Sequence, residues 1–307
     1  MRVLAGLLLL ACLGLAVASC GGADPGSDGR LTVVATTTQA ADHTRAVAGD
    51  RADVVQLLQP NSDPHDYEVR PQDVKALERA DLVVRSGGEL DHWLDGAIDS
   101  SGSDAPQLTL IDHVRTLPGD DGPDPHWWQD PRNAVRAVAT IEAALAKAEP
   151  AGARGFAGRA AAYTERIEAL DGAVARCLDR LPAQQRKLVT THDSLGYYAR
   201  RYGLTVIGAV IPSRSTLAQP SAGELAQLVQ TIRDAGVKAI FAESSVNPKV
   251  EQAVADEAGA RIGRPLWADS LGPGGSDGAT YLSSVAANTR AIADGLSGGA
   301  VRCDVPG

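Results

Sequence analysis

Six histidines are spread along a chain of 307 residues. Three of them stand beside carboxylates in segments where the chain is stiffened or has just left an apolar run. In Asp63-Pro64-His65-Asp66-Tyr67-Glu68 and Asp124-Pro125-His126-Trp127-Trp128-Gln129-Asp130-Pro131, a proline precedes the histidine. Proline fixes its own φ and restricts the residue before it, so each imidazole hangs from a segment with little freedom. In Thr191-His192-Asp193-Ser194-Leu195-Gly196 the histidine follows directly on Leu188-Val189-Thr190. Neutral imidazole is a common transition-metal ligand, and a nearby carboxylate can hold its other nitrogen in one tautomer. Asp269, directly after Leu266-Trp267, offers an oxygen. Three imidazoles and one carboxylate form an N3O set suited to tetrahedral Zn²⁺.

The remaining polar residues have plainer readings. His43, His92 and His113 read as solvated or hydrogen-bonded side chains, and Asp42, Asp50 and the acidic run Asp120, Asp121 and Asp124 as solvent-facing rather than metal-binding. Glu243 closes an apolar run and is open to three readings: ligand, acceptor for an imidazole, or structural cap. Glu68, Asp124, Asp130 and Asp193 are the other carboxylates placed to orient the imidazoles. Pattern alone leaves metal and non-metal readings open.

The elements that must position these residues alternate. Short β-rich runs (Leu31–Ala35, Ala52–Leu58, Leu82–Val84, Leu108–Ile111) are separated by helical patterns, and the rhythm returns after residue 184 with Leu188–Thr190, Leu204–Ile211, Val237–Ala242 and Arg261–Trp267. This predicts an α/β fold with two lobes, each built on a mainly parallel sheet with flanking helices. Between them lies an Ala-rich helical region, 133–148 and then 154–181. In its second part Ala161, Thr164, Ile167, Leu170, Val174 and Leu178 recur at helical steps. It reads as a spine. The expected organisation is a lobe over 31–149, a linking helix over 150–183 and a second lobe over 184–307. Ligands of open α/β sheets gather at the carboxyl ends of strands, so His65 and His126 can meet His192 and Asp269 only in a cleft between the lobes.

Composition narrows the partners. A net charge of −9 opposes nucleic acid, which requires a basic footprint. Arg2 followed by the apolar run Val3–Val17 reads as a secretory signal over 1–19, too short to span a membrane comfortably. Val17-Ala18-Ser19-Cys20 resembles a bacterial lipobox, which implies a lipid on Cys20, a flexible tether over 20–30, and a site outside the cytoplasmic membrane. Ordinary signal cleavage is the alternative. With Cys12 and Cys20 accounted for, Cys177 and Cys303 remain, either as one disulfide or as two unrelated buried thiols.

Taken in order, the His65, His126, His192, Glu243-Ser244-Ser245 and Ala268-Asp269-Ser270-Leu271-Gly272 motifs resemble the ZnuA/TroA-like family of solute-binding proteins of zinc and manganese ABC importers. The likeness spans Leu31 to Leu296. It implies two α/β lobes on a rigid helix, one metal between them, and His65, His126, His192 and Asp269 as its ligands. It also implies a monomeric receptor, not an enzyme, that hands its metal to a permease and its ATPase. A histidine at the third position favours zinc over manganese. The segment Arg115–Pro125 is short and histidine-free, unlike the His-rich loop of one zinc subgroup. A manganese or dual-specificity receptor, and a surface adhesin or metal sequestrant, are the alternatives. A zinc hydrolase is disfavoured, because four protein ligands leave no open position and there is no His-Glu-x-x-His helix.

Overall fold

The computed structural model describes residues 30–119 and 122–307. The signal segment, Cys20 and the tether up to Gly29 lie outside the described residues.

The first sheet is parallel. Its strands are β1 (Leu31–Ala35), β2 (Ala52–Gln56), β3 (Leu82–Arg85) and β4 (Gln107–Thr109), in the order β2-β1-β3-β4. Helices α1 (Thr38–Ala48), α2 (Pro71–Glu78) and α3 (Leu94–Ser101) connect them. Side chains alternate across a strand. Val33, Ala35, Leu82 and Val84 therefore enter the main core, while Val34 and Val83 pack with Leu77 and Leu94 beneath α2 and α3. Helical cover on both faces explains why these strands read as continuous apolar runs. A small antiparallel pair follows, β5 (Pro118–Gly119) with β6 (Gly122–Pro123). The sequence reading had no hairpin there.

Helix α4 (Pro131–Ala148) begins with Asp130 as its N-cap and a proline in its first turn. A short 3-10 turn at Pro150–Gly152 leads into α5 (Ala153–Leu178), 26 residues long. Its inner face carries Phe156, Ala160, Tyr163, Ile167, Leu170, Val174 and Leu178 at steps of three or four. Three glycines do not break it. Gly155 and Gly158 are exposed and Gly172 is half-buried, so each costs about 1 kcal/mol of propensity against a stripe of large buried side chains. The helix packs on α1, α4 and α9, and its Cys177 is disulfide-bonded to Cys303 in the tail.

The second half repeats the pattern with β7 (Lys187–Thr190), α6 (Gly196–Tyr202), β8 (Thr205–Ala209), α7 (Ala222–Ala235), β9 (Ala239–Ile240), α8 (Lys249–Ala258), β10 (Arg261–Ile262) and α9 (Tyr281–Ser297). Strands β7 and β8 pair in parallel, as do β9 and β10. A parallel bridge between Thr190 and Phe241, with Phe241 N–H donating to Val189 O at 2.9 Å, joins the two pairs. The resulting order β8-β7-β9-β10 matches that of the first sheet. The last two strands are shorter than their apolar runs predict. Past Ile262, Gly263 and Pro265 interrupt the run, and only the single bridge from Glu243 to Leu266 continues the pairing.

Candidate metal centre

Each of the four predicted ligand positions lies in a loop at the carboxyl end of its sheet, and the four loops converge. His65 is in the loop after β2, where Asn61 takes a left-handed φ of 58° and its N–H donates to Leu271 O at 2.8 Å. Asparagine tolerates that region better than most residues. The contact ties the His65 loop to the loop carrying Asp269. His126 precedes the 3-10 turn Trp127–Gln129, His192 follows β7, and Asp269 follows the Leu266 bridge.

One ligand atom from each of His65, His126, His192 and Asp269 lies within 4.8 Å of all the others. Asp269 Oδ2 is 3.2 Å from His65 Nε2 and 3.1 Å from His192 Nε2, while Oδ1 is 3.5 Å from His126 Nε2. The two ring nitrogens His126 Nε2 and His192 Nε2 face each other at 3.3 Å. Every one of these side chains is at most 5% exposed. Both Asp269 oxygens and His65 Nε2 nevertheless lack a properly aligned hydrogen bond. Buried polar atoms are normally satisfied, so several orphans aimed at one point are what an ion-binding pocket leaves in a chain without its ion.

Two carboxylates orient the rings. Asp124 Oδ1 lies 2.8 Å from His126 Nδ1 and also accepts the His126 backbone N–H at 3.0 Å. Glu243 Oε1 lies 2.6 Å from His192 Nδ1 and accepts the His192 backbone N–H at 3.3 Å. An ionised carboxylate only accepts, so Nδ1 carries a proton in both rings, and Nε2 of each ring is the atom turned towards the centre. Burial alone would lower the His192 pKa, but Glu243 and Asp269 outweigh it and hold the imidazole well above its usual range. Burial likewise acts to raise Asp269, and the charges of His192 and His126 overcome it and pull the carboxyl well below the carboxylate range.

Three predicted orienting residues do something else. Glu68 is exposed and forms no hydrogen bond or ion pair among the described residues. Asp130 caps α4 by accepting from Arg132 N–H and pairs with the Arg132 guanidinium. Asp193 is 41% exposed and faces Arg214 at 4.0 Å. The structure adds supports that the sequence did not mark. Asp63 Oδ1 accepts the His65 backbone N–H at 2.9 Å, and its Oδ2 accepts from Thr216 Oγ1 at 2.6 Å, across the cleft. Trp128 Nε1 and Gln129 Nε2 both donate to Ala268 O, at 3.0 and 2.9 Å, which fixes the residue before Asp269. Tyr197 Oη donates to Asp124 O at 2.7 Å. The aromatic-rich run Trp127-Trp128-Gln129 was the one available signal for these braces. His65 alone borders a cavity of about 500 Å³ that extends past Pro125 and Arg214 to the exposed residues His92 and Leu217.

This arrangement has known counterparts. Residues 33–295 match the ZnuA family, described as zinc-uptake complex component A, periplasmic. The iron-binding protein YfeA of Yersinia pestis is 31% identical over 87% of this chain and 86% of its own length. The manganese-binding lipoprotein MntA of Bacillus subtilis is 31% identical over 92% and 95%. Among solved structures, the periplasmic zinc-binding protein TroA of Treponema pallidum superposes with a TM-score of 0.83 at 30% identity, over 87% of this chain and 99% of that one. With a family match across most of its length and the same α/β architecture as TroA, the chain belongs to the ZnuA family, the substrate-binding receptors of metal ABC importers rather than enzymes.

Proposed function

We propose that the chain captures Zn²⁺ outside the cytoplasmic membrane through His65, His126, His192 and Asp269, and releases it to the permease of an ABC importer. The observation that carries this reading is the convergence of four buried donor groups within 4.8 Å, with both Asp269 oxygens and His65 Nε2 lacking an aligned hydrogen bond. Three imidazoles and one carboxylate suit a borderline cation such as Zn²⁺. Both Asp269 oxygens face the imidazoles, so the set can offer four or five donor atoms. That flexibility, together with relatives named for iron, manganese and zinc at similar identity, keeps Mn²⁺ and Fe²⁺ as the competing cargoes. Two lobes, 31–149 and 184–307 with the helix over 150–183 between them, and a lipid on Cys20 complete the proposal. Names of relatives as metal ABC transporter lipoproteins support the anchor and the permease–ATPase partnership.

Metal-free protein should be offered Zn²⁺, Mn²⁺ and Fe²⁺ together under anaerobic conditions, and its metal content measured after desalting. One Zn²⁺ per chain is the expected result. Retention of Mn²⁺ or Fe²⁺ against equimolar Zn²⁺ would overturn the zinc assignment, and loading unaffected by His126→Ala would remove that residue from the site.

A further inference from the structure

Away from the metal centre, a second cavity of about 440 Å³ opens between the start of α4, α6 and the segment Arg115–Leu117. Five arginines line it, Arg115, Arg132, Arg136, Arg200 and Arg201, against a single acidic residue, Asp130. Two of the five are committed, since Arg132 pairs with Asp130 and Arg201 with Asp171. The side chains of Arg115, Arg136 and Arg200 form no hydrogen bond or ion pair among the described residues. This concentration of positive charge sits on a chain whose net charge is −9.

The wall between these arginines is well braced. Tyr197 Oη donates to Asp124 O and accepts Leu117 N–H at 2.9 Å. Asn133 accepts Arg115 N–H at 3.0 Å and donates to Arg115 O at 2.9 Å. The Tyr197 hydroxyl and the Asn133 amide are therefore spent within the wall, and most of the uncommitted hydrogen-bonding capacity belongs to the arginines. Guanidinium offers a planar fork of donors matched to carboxylate and phosphate oxygens. A volume in the range of small-molecule sites exceeds what one simple anion fills. We propose that this cavity binds a small polyanion, a molecule carrying at least two phosphate or carboxylate groups.

The test is calorimetric titration of the metal-free full chain with pyrophosphate and with citrate, in chelator-treated buffer. Saturable binding of at least one is expected, weakening as salt is raised. Arg115→Gln, Arg136→Gln and Arg200→Gln should each weaken it about tenfold, as loss of a charge-assisted contact does. Arg154→Gln, on the exposed start of α5, makes the same change in net charge and should leave binding within twofold. Thermal unfolding of each variant establishes that the fold is intact. Absence of saturable binding by both anions would overturn the proposal. So would equal weakening by Arg154→Gln, or capture only by phosphatidylglycerol vesicles with no response to the free anions.

Discussion

Glu243 is 51 residues from His192 in sequence, yet its carboxylate holds that imidazole at 2.6 Å. Both side chains are buried, and the second oxygen, Oε2, has no partner, so nothing competes with His192 for the charge. Glu243→Gln keeps an acceptor oxygen but removes the negative charge. Glu243→Ala removes the acceptor too and strands a buried Nδ1–H. Loss of a carboxylate that orients a metal-bound imidazole weakens metal binding by roughly 10- to 100-fold. We expect about tenfold for the Gln variant and about a hundredfold for Ala, or about 1.4 and 2.7 kcal/mol. The assay is competition for Zn²⁺ against a chromogenic chelator at fixed pH, with thermal unfolding to establish that each variant is folded. Glu68→Ala and Asp193→Ala serve as controls and should bind within twofold of the parent, since neither side chain touches an imidazole. A folded Glu243→Ala protein with parental affinity would refute the reasoning, because the geometry leaves His192 Nδ1 no other acceptor.

His43 lies on α1 with Nδ1 3.2 Å from Tyr163 Oη and its ring in a T-shaped contact with Tyr281; burial lowers its pKa to about 3. The unfolded chain takes up a proton below about pH 6.5 that the folded chain refuses, so this stabilisation is complete above that pH and is lost as pH falls. Metal-free protein should lose about 2 kcal/mol more than His43→Gln between pH 8 and pH 5 in denaturant unfolding, and equal losses would contradict it. The Cys177–Cys303 bridge closes a sequence separation of 126 residues. Chain-entropy arguments give it up to about 5 kcal/mol, with about 2–4 typical of measured bridges. Cys303→Ser should lower the denaturant midpoint accordingly, while an unchanged midpoint under oxidising conditions would argue against the bridge.

What was legible in the sequence was whatever a single strand or turn encodes. Runs such as Leu31–Ala35 announce a strand buried on both faces, and Asp124-Pro125-His126 announces a fixed imidazole with its acceptor two residues away. The same reasoning failed at Glu68, Asp130 and Asp193, where nearness in sequence stood in for direction. Asp130 is drawn to the unsatisfied N–H groups at the start of α4. Asp193 points outward, towards Arg214. Asp63 escaped notice for the opposite reason. Its carboxylate works on backbone and on Thr216, and Thr216 lies 153 residues away. The β5–β6 pair is too short, and its segment too rich in glycine and proline, to show any alternation.

The two sheets share one strand order, and this explains why the centre draws on four separate loops. In each half the first strand is central, flanked by the second and third, so loops leaving neighbouring strands rise side by side at the same end. In the second half this puts Glu243, after β9, beside His192, after β7. Orientation is then unequal around the centre. His126 and His192 each have a carboxylate on Nδ1, and Asp269 follows a carbonyl held by Trp128 and Gln129. His65 is anchored through its backbone to Asp63, and no hydrogen bond to its Nδ1 is formed among the described residues. Its side chain is the most accessible of the four, and it alone borders the cavity that reaches solvent. A receptor must hold its cation firmly and still give it up. Three of the four donor side chains are thus held by other groups beyond the centre, while His65 is held through its backbone and at the centre itself, on the side nearest solvent.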